Sequence, residues 1–184
     1  MSSQTAEPNT LHRSLWALSW EHQVARGTLR TVEDALAEGG GVSAEGLERL
    51  RLMATHLWTH RLEGHQADEE SVFLTAALRA APLVVEPLAV RMESEHRALA
   101  LAARRLQDAP PAELAPRLQA FVRLVEQHLA WEETELWPVL EQVLPGEVQE
   151  ELAAQLDARR TREGRGSPKE GRILRGERDT LDCA

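Results

Sequence analysis

The sequence predicts an all-α protein: an up-down-up-down antiparallel four-helix bundle with a short fifth helix and a disordered C-terminal tail. Three observations carry this expectation. The body of the chain is rich in Ala, Leu, Glu and Arg, which favour helices, and poor in the β-branched residues that favour strands. Apolar residues recur in alternating steps of three and four, the period of a helix face that packs on other helices. Four breaker clusters, "EGGGV" (38–42), "AAPLVVEP" (80–87), "DAPP" (108–111) and "LPG" (144–146), divide the body into four long pieces and a short one. Short links between long amphipathic helices favour antiparallel neighbours.

The first helix is expected near 10–38, with a seam running through Leu15, Leu18, His22, Ala25 and Leu29. The second is expected near 43–80, with Ser43 as its N-cap. Its seam, Leu50, Ala54, Trp58, Leu62, His65 and Glu69, contains three successive steps of four. The third, near 86–108, alternates strictly through Val85, Ala89, Met92, His96, Leu99 and Ala103. The fourth, near 112–143, begins with Pro111 in its first turn and follows Leu118, Phe121, Val125, His128 and Glu132. Its seam then continues through Glu135 to Val139, with Pro138 bending the last turns. "PGEVQEELAAQLDARR" (145–160) reads as the short fifth helix, with a thinner apolar side. Residues 159–184 carry Gly, Pro and mixed charge without periodicity and are expected to be disordered. With a flexible N-terminus over 1–9, this leaves one domain across 10–158, in keeping with a length of 184 residues.

Composition narrows the function. The net charge is -9, and the 21 basic residues are concentrated enough in the tail that 1–158 is more acidic still. Nucleic-acid and anionic-membrane binding are not expected, and no apolar run approaches the roughly 20 residues of a membrane span. Cys183 is the single cysteine, which rules out an intrachain disulfide framework and fits a reducing cytoplasm. No signal-peptide pattern opens the chain, so a cytoplasmic location is expected. Tyrosine is absent and the single lysine, Lys169, lies in the expected tail, which argues against tyrosyl-radical and Schiff-base chemistry.

The seams themselves carry the chemistry. Each of the four long helices places one histidine on its apolar side: His22, His65, His96 and His128. Two are followed one turn later on the same face by a carboxylate, Glu69 and Glu132. Counting outward from the connecting turns brings the four imidazoles to one level of the bundle within about one and a half turns. One seam histidine is an ordinary core residue satisfied by a backbone carbonyl. Four of them with two carboxylates are not, because unpaired buried glutamates would cancel much of what the core contributes. A pair of divalent cations removes that cost. Histidine nitrogen with carboxylate oxygen and no sulfur suits iron, manganese or zinc. Two carboxylates can bridge two metals as in di-iron bundles, although the spacing here is His-x-x-x-Glu and not Glu-x-x-His.

The stretches that hold these residues are "WEHQ" around His22, "HQADEESVFL" from His65, "ESEHRALA" around His96 and "HLAWEETELWPVL" from His128. Over about residues 10–145 they resemble the hemerythrin-like, or HHE cation-binding, family. The resemblance implies a four-helix bundle around two non-haem iron ions, Fe2+ or Fe3+, joined by an oxo or hydroxo bridge. His22, His65, Glu69, His96, His128 and Glu132 stand at the ligand positions. Oxygen-carrying hemerythrins have a further histidine one turn after the third-helix ligand, where this chain has Ala100. With about six places per iron, four histidines, two bridging carboxylates and one bridging oxygen fill about ten of about twelve. That pattern is similar to relatives linked to iron-sulfur-centre repair and to nitric oxide or oxidative stress, more than to a dedicated oxygen carrier.

The expected function is therefore to bind or respond to O2, NO or peroxide, or to handle iron. The alternatives are a catalytic di-iron oxidase or peroxidase, and a zinc-stabilised structural bundle. Several neighbours are assigned lesser roles. Glu95, beside His96, fills a vacant place, supports a ligand or is solvated, and Glu135 supports the site from the seam. Glu70 and Glu133 are read as outer-face charge, His56 and His60 as solvent-side, and His12 as surface. Trp16, Trp20, Trp58, Trp131 and Trp137 are read as packing.

Overall fold

The first helix, Arg13–Ala37, starts where His12 turns its ring nitrogen back onto the backbone N–H of Ser14, so His12 is a half-buried cap and not a surface residue. The computed structural model describes residues 12–38 and 41–164. The flexible N-terminus expected over 1–9 and the part of the expected tail beyond 164 lie outside them. Among the described residues all regular structure is helical, in five rods.

The second rod spans 44–80 and is capped by Ser43, whose hydroxyl accepts from the N–H of Gly46 at 3.1 Å. It is not α-helical throughout, since it widens into π turns at Trp58–Leu62 and Glu69–Leu74. A single residue, Ala81, turns the chain into the third helix, Pro82–Gln107. The sequence places this start four residues later, reading two prolines as a break. Pro82 instead occupies the first position, where the missing N–H has no partner to lose, and Pro87 is carried one turn further in. A 3₁₀ turn, Pro111–Glu113, leads into the fourth rod, which spans 114–143 and contains a third π turn, Glu132–Leu136.

Neighbouring rods run in opposite directions. Arg51, near the start of the second, reaches the carbonyl of Gln107 at the end of the third. The N–H of His12 at the start of the first meets Glu141 near the end of the fourth. The fifth helix, Gly146–Arg162, lies along the first and crosses the second near its π turn. It extends past residue 158, so 159–162 are helix and not tail. The helix expected over 145–160 therefore continues two residues further, and its last turn is held by charge: the fully buried Arg160 ends in the bundle, paired with acids.

The apolar core is divided. One cluster gathers around Leu15, Leu18, Phe73, Met92, Leu136 and Leu140, and the other around Leu29, Leu57, Leu99, Leu118, Phe121 and Val125. Each such side chain contributes roughly 1.5–3 kcal/mol by leaving water. Between the two clusters lies a buried polar layer made of His22, His65, Glu69, His96, His128 and Glu132.

Candidate metal centre

The first and third helices deliver their histidines by uninterrupted α-helical register, and every seam position expected for the third from Val85 to Leu106 is buried. The second and fourth do not. In the second, the buried series runs Ala54, Leu57, Leu62, and the step of five is absorbed by the π turn at Trp58–Leu62. Leu57 therefore takes the inward place expected for Trp58. In the fourth, the π turn that opens at Glu132 shifts the seam by one residue. Leu136 and Leu140 face the core, while Glu135, expected on the seam, is 56% exposed and pairs with Arg91. The turn closes with Trp137 N–H bonded to the carbonyl of Glu132, five residues back, immediately before Pro138, which has no N–H to give. Glu69 and Glu132 each stand at the first residue of a π turn. Single π turns of this kind recur at functional sites.

The six side chains form two overlapping groups that could hold metal ions: His22, His65, Glu69 and Glu132, and Glu69, His96, His128 and Glu132. Within each, the donor atoms lie within 4.8 Å of one another. Atoms about 2.0–2.2 Å from one common ion lie roughly 3–4.4 Å apart, so the separations suit a shared cation. The carboxylates belong to both groups. Glu69 turns Oε1 toward His65 at 3.4 Å and Oε2 toward His96 at 3.5 Å. Glu132 turns Oε2 toward His22 at 3.1 Å and Oε1 toward His128 at 2.8 Å. The imidazole centroids are 4.8 Å apart in each pair, His22 with His65 and His96 with His128.

An outer ring of four acids fixes the imidazoles. The Nδ1–H of His65 donates to Glu21 at 2.9 Å, that of His96 to Glu70 at 2.7 Å, that of His128 to Glu95 at 2.9 Å, and that of His22 to Glu133 at 2.9 Å. A carboxylate only accepts, so each Nδ1 carries the proton and each Nε2 points its other valence inward. The pattern is cyclic: an acid of the first helix holds the histidine of the second, the second serves the third, the third the fourth, and the fourth the first. Each acid is the sequence neighbour of an inner residue: Glu21 of His22, Glu70 of Glu69, Glu95 of His96, and Glu133 of Glu132. Glu133 is thus not outer-face charge, Glu70 holds His96 while remaining 45% exposed, and Glu95 supports His128 from the ring. Their adjacency to the seam is the signal that could have found them, since a residue about 100° round the helix faces the next rod.

Beyond the ring stand three arginines: Arg160 on Glu21, Arg91 on Glu95 and Arg26 on Glu133. Six carboxylates against three guanidiniums, each of which also serves a further acid, leave at least three negative charges in excess when the imidazoles are neutral. Without a cation the layer responds by holding protons. Burial alone would push the His96 imidazole down, but Glu132, Glu69 and Glu70 outweigh it and lift it to about 10. His65 and His128 are likewise raised against burial, chiefly by Glu69 and Glu132. The Glu132 carboxyl, which burial would raise, is held well below its ordinary range by the surrounding imidazoles. Even so, the four oxygens of Glu69 and Glu132 and the Nε2 atoms of His96 and His128 have no well-formed hydrogen bond, despite the short separations. Nε2 of His22 and Nε2 of His65 face each other at 3.0 Å. Unpartnered buried donors aimed at two common points are what a pair of cations would satisfy.

The remaining sequence candidates stay outside. His56 and His60 are exposed and stack on each other, with centroids 4.2 Å apart. Trp137 is buried against the His22 ring at 4.6 Å, and Trp131 is buried under the Arg91 guanidinium at 4.4 Å. Among the described residues no helix is long and apolar enough to cross a membrane. Comparison with family models, curated proteins and solved structures returns no match for this chain.

Proposed function

We propose that this chain is a hemerythrin-like protein of up-down-up-down topology, holding two non-haem irons and binding O2, NO or peroxide, or handling iron. The single observation that carries the reading is the outer ring: four Nδ1–carboxylate bonds turn four Nε2 atoms inward around two shared carboxylates. His22 and His65 would hold one iron, and His96 and His128 the other, with Glu69 and Glu132 spanning both. An iron pair so placed supplies reversible electron exchange with small oxygen- or nitrogen-centred molecules. The chain's own residues orient the imidazoles, hold their protons on Nδ1 and keep bulk water out through the two apolar clusters.

The approach to the layer from one apolar cluster is closed. The gap that reaches Glu69 is lined by Phe73, Leu74, Met92, Leu136 and Leu140, and it is too tight for a water-sized sphere. Histidine and carboxylate donors without sulfur suit iron, manganese or zinc, and the resemblance to the hemerythrin-like family favours iron among them. The test is metal analysis with an optical spectrum on protein purified without added zinc. About two irons per chain and near-ultraviolet absorption after air oxidation are expected. Stoichiometric zinc with a silent spectrum would replace this reading by a structural bundle.

A further inference from the structure

We infer that the fifth helix is part of the centre, with Arg160 as a positioning residue that couples its docking to metal loading. This rests on the metal reading above. Arg160 is fully buried and divides its guanidinium between two acids, Nη2 to Glu21 at 2.7 Å and Nε to Asp68 at 3.2 Å. The oxygen of Glu21 that it meets, Oε2, is the same one that accepts from Nδ1 of His65 at 2.9 Å. One carboxylate oxygen therefore joins the fifth helix to an inner imidazole on the second rod.

The coupling is specific to this helix. Arg26 and Arg91, which brace two other ring acids, lie on bundle helices that are held by the main clusters whether or not they make these pairs. The fifth helix, which carries none of the inner ligands, joins one apolar cluster through Leu152 and Leu156, and its last turn is held by Arg160. Arg159 adds a contact to the same Asp68, Nε to Oδ1 at 3.3 Å, so the docked end of the helix is a charge clamp on the bundle. Undocking that end would strip Glu21 of its guanidinium and loosen the bond that aims His65. By reciprocity, a cation that needs His65 aimed inward favours the docked helix.

The test is cobalt(II) titration followed by visible absorption, together with hydrogen exchange, on the full chain. In the wild type, cobalt should slow exchange across 146–162 at least tenfold. Arg160→Met should weaken the first-bound cobalt by about 10- to 100-fold, the range for residues that orient metal ligands, and should abolish the cobalt-dependent protection of 146–162. Leu152→Ala, which loosens the helix without touching Glu21, should lower thermal stability yet keep cobalt-dependent protection. Two occupied sites with unchanged affinities in Arg160→Met would overturn the coupling and leave the metal reading standing. A wild type that takes up no cobalt would sink both. Should Arg160→Met fail to fold, the wild-type exchange decides alone, since protection of 146–162 that ignores cobalt removes the inference.

Discussion

The two halves of the polar layer have the same inner donors and different surroundings. On the His22 and His65 side, the supporting acids are tied to guanidiniums that are 27% and 0% exposed, Arg26 and Arg160. On the His96 and His128 side, Glu95 is braced by Arg91, which is 46% exposed, and Glu70 is itself 45% exposed with no arginine paired to it among the described residues. The lesson is that ligand identity alone does not set the character of a site. In the first half both supporting acids are braced by guanidiniums, one of them fully buried, whereas in the second Glu70 meets solvent and only Glu95 is braced. Metal should therefore leave the second half first.

The largest effect should come from the residue both halves share. Glu132 contacts all four imidazoles, whereas Glu69 contacts His65 and His96. Glu132→Ala should cost the metal-free fold about 3 kcal/mol, because it leaves raised imidazoles without their buried counter-charge, and should empty both sites. Glu69→Ala should do less on both counts. Chemical denaturation with metal analysis checks the ranking, and equal losses would argue against Glu132 as the hub.

Proton linkage comes next. A raised imidazole contributes stability that is complete below about 6.5 and is lost as pH rises through its folded value, about 10 for His96. Glu132 has the opposite sign, with a contribution present above about 4.5 and lost as pH falls. Metal competes with the imidazole protons, so its affinity rises over the same upper window. Between pH 6.5 and 9 the melting temperature of metal-free protein should fall while the metal-induced increment grows. An increment that shrinks with rising pH would contradict the assignment of these imidazoles as donors.

A smaller effect separates the halves. Glu133→Gln should weaken its site by about 10- to 100-fold, as residues that orient metal ligands do, while Glu70→Gln, more exposed and unbraced, should cost less than about tenfold. Staged removal by a chelator would show the difference, and an inverted order would mean that exposure does not govern retention. Smallest of all, His56→Ala should change neither metal content nor stability.

Much of this architecture could be read from the chain because helix periodicity and ligand spacing are both local. His22, His65, Glu69, His96, His128 and Glu132 each sit on an apolar seam, and four helices that hide their seams must bring those residues inward. What could not be read was of two kinds. The π turns are set by how the rods fit one another, so Leu57 for Trp58 and Leu136 for Glu135 are corrections that spacing alone could not supply. The outer acids and Arg160 act across helices, through partners distant in sequence, and glutamate and arginine on a helix look alike whether they face solvent or a neighbouring rod. The doublets Glu69–Glu70 and Glu132–Glu133 were visible, but only the packed rods show that the second acid of each serves the next helix.

An anomalous difference map at the iron edge, from crystals grown without added metal, decides whether the polar layer holds two irons. Two peaks are expected, one bounded by His22 and His65 and the other by His96 and His128, both flanked by Glu69 and Glu132. Peaks elsewhere, or a filled layer of ordered water with no anomalous signal, would contradict the two-iron reading.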